Sequence, residues 1–260
     1  MKNFISILIT NYNKGKFLEK TLKSISSQSF KDYEVIIYDD CSTDDSLEII
    51  KNFRLIKNFI LVKNLKKNFN PSPKNQINGT IECFKKSRGN LICLLDADDF
   101  FLKKKLFYID EYFKKNKKLN CLFNLPKLKK TQFNFKTKKD NNSIWPTIIP
   151  TSCISFRREF FLNFIKYVKV NNYQHLEIDS RITIFSKVFY DEYNILKKKL
   201  TIYNYDENGI TAKIHKFTLK WWRRRNEAYL YFRFILKKKN KIFLLSFDYL
   251  VTIFINILIR

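Results

Sequence analysis

Three short apolar runs, each halted by a cluster of hydroxyl, amide or carboxylate side chains, constrain this chain more than any other feature. Ile5-Ser6-Ile7-Leu8-Ile9 stops at Thr10-Asn11-Tyr12-Asn13, Tyr33-Glu34-Val35-Ile36-Ile37-Tyr38 stops at Asp39-Asp40-Cys41-Ser42-Thr43-Asp44-Asp45, and Leu91-Ile92-Cys93-Leu94-Leu95 stops at Asp96-Ala97-Asp98-Asp99. Runs this apolar read as strands buried on both faces, the mark of a parallel sheet covered by helices. Between them, Phe17, Leu18, Thr21, Leu22 and Ile25 recur at helical spacing, and Ser or Thr of the 39–45 cluster can cap a helix over 46–53. A strand over 59–62 and a helix over 76–87 continue the alternation. The predicted class is α/β, a mostly parallel sheet flanked by helices. Ligands of open sheets bind beyond the carboxyl ends of the strands, and all three polar clusters fall there.

After Asp99 the pattern predicts a helix over 100–116, surface loops or short edge strands over 117–142, and a helix over 176–189. The last of these places Ile178, Ile182, Phe185 and Phe189 on one face, with Glu177 and Asp179 beside it. At 260 residues the chain holds one large domain, or one with a small appendage, and 45% apolar residues exclude a disordered chain. Only four Gly occur, so no glycine-rich phosphate cradle can form, and kinase-like and NAD-dependent readings lose their basis. Five Cys without any Cys-x-x-Cys argue against a disulfide framework or structural zinc and point to a reducing, cytoplasmic compartment. The first seven residues lack the apolar run and cleavage site of a secretory signal and read as a strand. His175 and His215 have no paired spacing for zinc and read as structural or surface residues.

Three carboxylates within Asp96–Asp99 repel one another at a strand end unless cations or donors offset them. A hard divalent cation, Mg²⁺ or Mn²⁺, would do so while sharing phosphate oxygens of a substrate. By position alone the same cluster also reads as an acidic turn, with Asp98 or Asp99 capping the next helix.

Together the three segments resemble the family 2 glycosyltransferases, which have the GT-A nucleotide-sugar-binding fold. Ser6–Asn13 is similar to the family's first strand and turn, Val35–Asp44 to its hydrophobic-Asp-Asp-Gly-Ser-Thr-Asp signature, and Ile92–Asp99 to its Asp-x-Asp box. The resemblance covers residues 4 to about 110 and weakens beyond 150. It implies that Thr10 and Tyr12 contact and stack on a nucleobase, and that Asp40 accepts from a ring N–H, as suits uracil. It further implies that Asp98 meets the ribose or a metal and that Asp99 meets the metal bridging the two phosphates. Cys41 stands where the family has Gly, and Lys74 stands for a phosphate-contacting Arg. Leu176–Ile182 resembles the element that supplies a general base, which makes Asp179 the expected base and Glu177 the reserve; an acid favoured by the dipole at a helix start is the plainer alternative. In the loop around Tyr203–Thr211, Asp206 replaces a His that approaches the metal in the family.

The resemblance divides the chain into a GT-A domain over 1–215, with a nucleotide-binding half to about 110 and an acceptor half over 111–215, and a helical C-terminal extension over 216–260. The expected activity is inverting, metal-dependent transfer from a nucleoside diphosphate sugar to a hydroxyl of a cell-surface glycan or lipid-linked acceptor. A basic nucleic-acid or membrane-surface binding protein and a nucleotidyltransferase remain the alternatives. Fifty Lys and Arg against 24 Asp and Glu leave a net +26, and eleven of the cations crowd into 213–241 against Glu227 alone. Trp and Tyr interleave with them, a mixture suited to RNA, but acidic clusters at three strand ends would repel a polyanion and disfavour a nucleic-acid partner. Ile242–Ile259 is almost wholly apolar but short for a membrane span and interrupted by Asp248. Asp248, Thr252 and Asn256 form a narrow polar stripe, so this helix either docks on the globule or lies in an anionic membrane interface on the cytoplasmic side.

Overall fold

Each apolar run forms a strand in the computed structural model, which describes residues 3–66, 70, 72–128, 148–204, 209 and 214–258. β1 (Ile5–Asn11) lies between β2 (Tyr33–Asp39) and β4 (Leu91–Asp96), and β3 (Phe59–Lys63) lies outside β2, all four parallel. Thr10 is in register with both Tyr38 and Asp96, so the three polar clusters finish on one rim. The crossovers carry α1 (Gly15–Ser26), α2 (Ser46–Asn52) and α3 (Ser72–Lys86).

The second half of the sheet is mixed. β5 (Phe100–Phe101), α4 (Lys105–Lys115), β6 (Cys121–Leu128), β7 (Ile154–Arg157), α5 (Arg158–Tyr167), α6 (Ile178–Phe189) and β8 (Asn194–Tyr203) follow in sequence. Across the sheet the order is β3-β2-β1-β4-β7-β6-β8-β5. β7 runs antiparallel to β4 and β6, whereas β6 and β8 are parallel.

Two expectations need correction. The segment 100–116 is not one helix: Phe100 and Phe101 pair antiparallel with Ile202 and Thr201, and the helix starts at Lys105. Both rings are buried, which consecutive residues achieve in a strand covered on two faces, whereas on a helix they point about 100° apart. Residues 121–128 form neither a surface loop nor an edge strand but an interior one, with Cys121, Leu122 and Phe123 fully buried between β7 and β8. The surrounding lysines conceal that apolar run in the local composition. Residues 129–142 lie outside the described residues.

Strand alternation splits the core into two layers. Ile5, Ile7 and Ile9 of β1 meet Leu18, Leu22 and Ile25 of α1 and Leu106, Ile109 and Phe113 of α4. Leu8, Ile36 and Ile92 face α3, α5 and α6. This second layer is aromatic: Phe156 stacks on Phe161 at 5.0 Å between centroids, and Phe185 meets Phe160, Phe164 and Phe189. Each such buried side chain contributes about 1.5–3 kcal/mol.

The C-terminal extension is two helices. α7 (Leu219–Lys238) is capped by Thr218, whose Oγ1 accepts from Trp221 N, and it places Ala228, Tyr231 and Ile235 in the aromatic layer. α8 (Phe247–Leu258) packs on α7. All five Cys are free thiols.

Candidate active site

The first corner of the rim is built around Asp39. Its carboxylate is buried, accepting from Asn11 Nδ2 at 2.8 Å and from Ser42 N at 3.0 Å, so it ties the ends of β1 and β2 together. Asp40 follows with its own N–H donating to Asn11 O at 2.9 Å and its Oδ1 accepting from Asn64 Nδ2 at 2.7 Å. Asp40 is thereby aimed by a partner on the neighbouring crossover. Cys41 takes φ 60°, the left-handed conformation implied by a family glycine at this place, and its Sγ lies 3.1 Å from Asn64 O. Cys41→Gly is therefore expected to be tolerated, while Cys41→Val costs about 1–2 kcal/mol because a β-branched residue is forced into that region; denaturant midpoints of the two variants check this.

Thr10 is half-buried at the end of β1, and Tyr12 is 43% exposed just beyond it. Gly79 lets α3 approach closely: a Cβ there would lie 2.5 Å from the Tyr38 ring and 3.1 Å from Thr10 Cγ2. The same helix carries Lys74 in its first turn, half-buried, and Gln76, whose Nε2 donates to Asp96 Oδ1 at 2.8 Å.

Asp96, Asp98 and Asp99 occupy the middle of the rim, each held differently. Asp96 N donates to Ser152 Oγ at 2.9 Å, and burial, then the charges of Asp98 and Asp179, push its carboxyl up to about 7. Asp98 Oδ2 meets Lys14 Nζ at 2.7 Å. Asp99 is buried; its Oδ1 accepts from Asn204 N at 2.8 Å, and its Oδ2 has no protein partner among the described residues. Burial, Asp98 and Asp96 push Asp99 well above the usual carboxylate range. A buried, half-satisfied carboxylate beside two others is a costly arrangement without a cation.

The donor set fits a hard divalent ion such as Mn²⁺ or Mg²⁺, which accepts one or two carboxylates and takes its remaining oxygens from phosphate or water. Among the described residues, no three His, Cys, Asp or Glu surround a common metal position, so Asp98 and Asp99 would be the protein's share. Asp206, the third expected ligand, lies outside the described residues.

Across the rim, Glu177 precedes α6 and Asp179 lies in its first turn. Glu177 is buried, with Oε2 2.6 Å from Arg224 Nε and Oε1 without a protein partner among the described residues. Its pKa is raised to about 7 by burial, which Arg224 only partly offsets. Asp179 is likewise raised by burial and lowered by Arg224, with Oδ1 accepting from Ser180 N at 2.6 Å. The charge of Asp179 is felt by Asp96, and Tyr203 feels all four aspartates, so the carboxylates of β4 and α6 share one end of the sheet. The exposed helix-start acid, the plainer alternative, does not describe Glu177.

The structure adds residues that the sequence did not single out. Arg224 comes from α7, forty-seven positions after the carboxylate that it meets. Lys105 is fully buried beneath the cluster, donating to Ser152 O and Thr201 Oγ1, with Nζ 3.9 Å from the Phe101 ring centroid. Burial lowers its pKa. In a chain so rich in basic residues, neither announces itself; the only sequence cue for Lys105 is its place after a buried Phe-Phe pair.

An open sheet whose parallel half ends in a polar, Asp-rich rim is the architecture of GT-A transferases, and solved structures agree. TarS of Staphylococcus aureus, in complex with UDP-GlcNAc, superposes with a TM-score of 0.66 at 17% identity, over 88% of this chain and 66% of that one. The mannosyltransferase PcManGT of Pyrobaculum calidifontis, in complex with GDP-Man and Mn²⁺, gives 0.61 at 13% identity, over 96% and 67%. Residues 6–193 match the family described as glycosyl transferase family 2, and the chain belongs to that family.

Among curated relatives, the GalNAc(5)-diNAcBac-PP-undecaprenol beta-1,3-glucosyltransferase of Campylobacter jejuni is 31% identical over 98 residues, covering 38% of this chain and 30% of that protein. The poly(ribitol-phosphate) beta-N-acetylglucosaminyltransferase TarS is 31% identical over 113 residues, covering 41% and 19%. An uncharacterized glycosyltransferase of Nostoc is 27% identical over 172 residues, covering 60% and 51%. The chain thus spans between about a fifth and a half of the length of these relatives.

Proposed function

We propose that the chain transfers a glycosyl group, with inversion, from a nucleoside diphosphate sugar to a hydroxyl of a cell-surface glycan or lipid-linked acceptor. The observation that carries this reading is the placement of Asp98 and Asp99 on the same rim as Asp179. Residues 1–110 would hold the donor, with Tyr12 stacking on the base, Thr10 and Asp40 contacting its edge and Lys74 contacting phosphate. Asp40 held by Asn64 favours a base with a ring N–H, and UDP is the preferred donor nucleotide. Residues 111–215 would receive the acceptor, and 216–260 would form an extension that supplies Arg224. Mn²⁺ or Mg²⁺ on Asp98 and Asp99, and on Asp206 if the loop brings it near, would offset the charge of the departing diphosphate.

Asp179 takes the proton from the acceptor hydroxyl as that oxygen attacks the anomeric carbon, and the bond from that carbon to the diphosphate oxygen breaks on the opposite face. A half-buried carboxylate with a raised pKa is a stronger base than a solvated one, which suits this role. Relatives acting on an undecaprenol-linked glycan and on poly(ribitol-phosphate) support a cell-envelope acceptor, and with it a site of action at the cytoplasmic face of a membrane.

The test is product analysis with a panel of nucleotide sugars and lipid-linked acceptors. Release of a nucleoside diphosphate with an inverted linkage supports the reading; release of pyrophosphate would indicate a nucleotidyltransferase instead. A second expectation concerns Arg224→Met. Removing the cation raises the pKa of Glu177 and Asp179 further, so the acidic limb of the kcat/KM profile moves to higher pH. An unmoved limb would separate Arg224 from the base.

A further inference from the structure

We propose that α8 and the segment leading into it form a docking surface for an anionic lipid membrane, lying in the interface without crossing it. α8 is turned inside out for a surface helix of a globular protein, which ordinarily buries its apolar stripe. Its polar stripe faces α7: Thr252 and Asn256 are buried, Thr252 Oγ1 accepts from Arg225 Nε at 3.2 Å, and Asn256 Nδ2 donates to Trp222 O at 3.1 Å. Asp248 accepts from Arg225 and from the Tyr229 hydroxyl. With its polar groups spent on α7, the helix turns Leu250, Phe254, Ile257 and Leu258 outward, each 52–68% exposed. Phe247 at the start of α8 and Leu244 in the segment before it extend the patch and are still more exposed. A contiguous apolar surface of this kind marks an interaction site.

Charge and length decide the occupant. Lys237, Lys238 and Lys239 are exposed at the end of α7, immediately before the apolar segment, and the one acid within 213–241, Glu227, is engaged by His175 N. Basic side chains next to an apolar segment complement anionic headgroups over acyl chains. A second copy of the chain would instead bring together two bodies of charge +26. Among the described residues no helix is long and apolar enough to cross a membrane, so α8 lies along the interface. At the other end of the patch, beside Asn256, Trp221 and Trp222 meet edge to face next to exposed Phe217, the aromatic type that sits at headgroup level. This inference goes beyond the transferase reading, and neither depends on the other.

The experiment is co-sedimentation of the full chain with phosphatidylcholine vesicles, with and without phosphatidylglycerol, at about 0.15 M salt. Binding to the anionic vesicles, weaker by about tenfold or more on phosphatidylcholine alone, is expected, together with a blue shift of Trp fluorescence. The triple variant Leu250→Ser, Phe254→Ser, Ile257→Ser should lose vesicle binding with unchanged Tm and unchanged nucleotide response, since all three side chains are exposed. The variant Lys237→Gln, Lys238→Gln, Lys239→Gln should lose the preference for anionic vesicles. Absence of binding to any vesicle, or binding that survives the triple Ser variant, overturns the proposal. So does a dimer that dissociates in that variant, since the occupant would then be a second copy.

Discussion

Asp179→Asn should lower the rate of glycosyl transfer by about 10²–10⁴-fold, the range lost when a general base is removed, while leaving the binding of a nucleotide sugar unchanged. The amide can still accept from Ser180 N, so the first turn of α6 keeps its shape. Asp179 is proposed to act on the acceptor, whereas Thr10, Tyr12 and Asp40 are proposed to hold the nucleobase, and this is why binding is spared. Glu177→Gln should behave differently. Glu177 is the buried partner of Arg224, and burial already disfavours its charged form, so the amide, whose oxygen can still accept from Arg224 Nε, should leave Tm unchanged or higher and cost far less activity than Asp179→Asn. Transfer rates and Tm measured on both variants separate the two roles; an active Asp179→Asn enzyme would move the assignment to Glu177 or off α6 altogether.

Asp99→Asn is the second large effect, and it acts in opposite directions on activity and stability. Transfer should fall by several orders of magnitude, because a carboxylate proposed to help hold the divalent cation is lost. Stability in metal-free buffer should hold or rise, because Asp99 is buried with one oxygen unpartnered and its charged form is disfavoured. The pH dependence follows from the same shifts. Asp96 and Asp99 are raised carboxylates, so their protonated forms favour the fold: that contribution is fully present below the ordinary carboxylate range and is lost as pH rises through about 7, where Asp96 gives up its proton. The metal-free wild type should therefore lose stability from about pH 4 to above 7, added Mn²⁺ should reverse the loss, and Asp99→Asn should flatten both responses. Thermal melts across that range check all three.

The rim was legible in the sequence because its physics is local. A strand buried on both faces must be an apolar run, and the residue at which it leaves the sheet can be polar, so Thr10, Asp39 and Asp96 are marked by their neighbours. β5 was hidden because Phe100 and Phe101 satisfy helical and extended patterns equally, and only pairing with β8, a hundred residues later, decides between them. β6 was hidden because lysines before and after it dominate the composition. Arg224 and Lys105 were illegible for a related reason: among fifty cations, the two that are drawn inward are distinguished by what they touch, and those partners are remote in sequence. For α8 the polar stripe was visible, but whether it pointed to solvent or to α7 depended on Arg225 and Trp222 being there to receive it.

The most direct measurement is the Tm of the wild type and of Asp99→Asn against nucleoside diphosphates and their sugars, with and without Mn²⁺. At a hundredfold excess over Kd, a donor stabilises the fold by about 2.7 kcal/mol, worth roughly 5–10 °C in a chain of this size. UDP or a UDP-sugar with Mn²⁺ should raise the wild-type Tm by that order and leave Asp99→Asn unmoved. A wild type whose Tm responds to no nucleotide at saturating concentration, with or without metal, contradicts the assignment of this rim as a donor site.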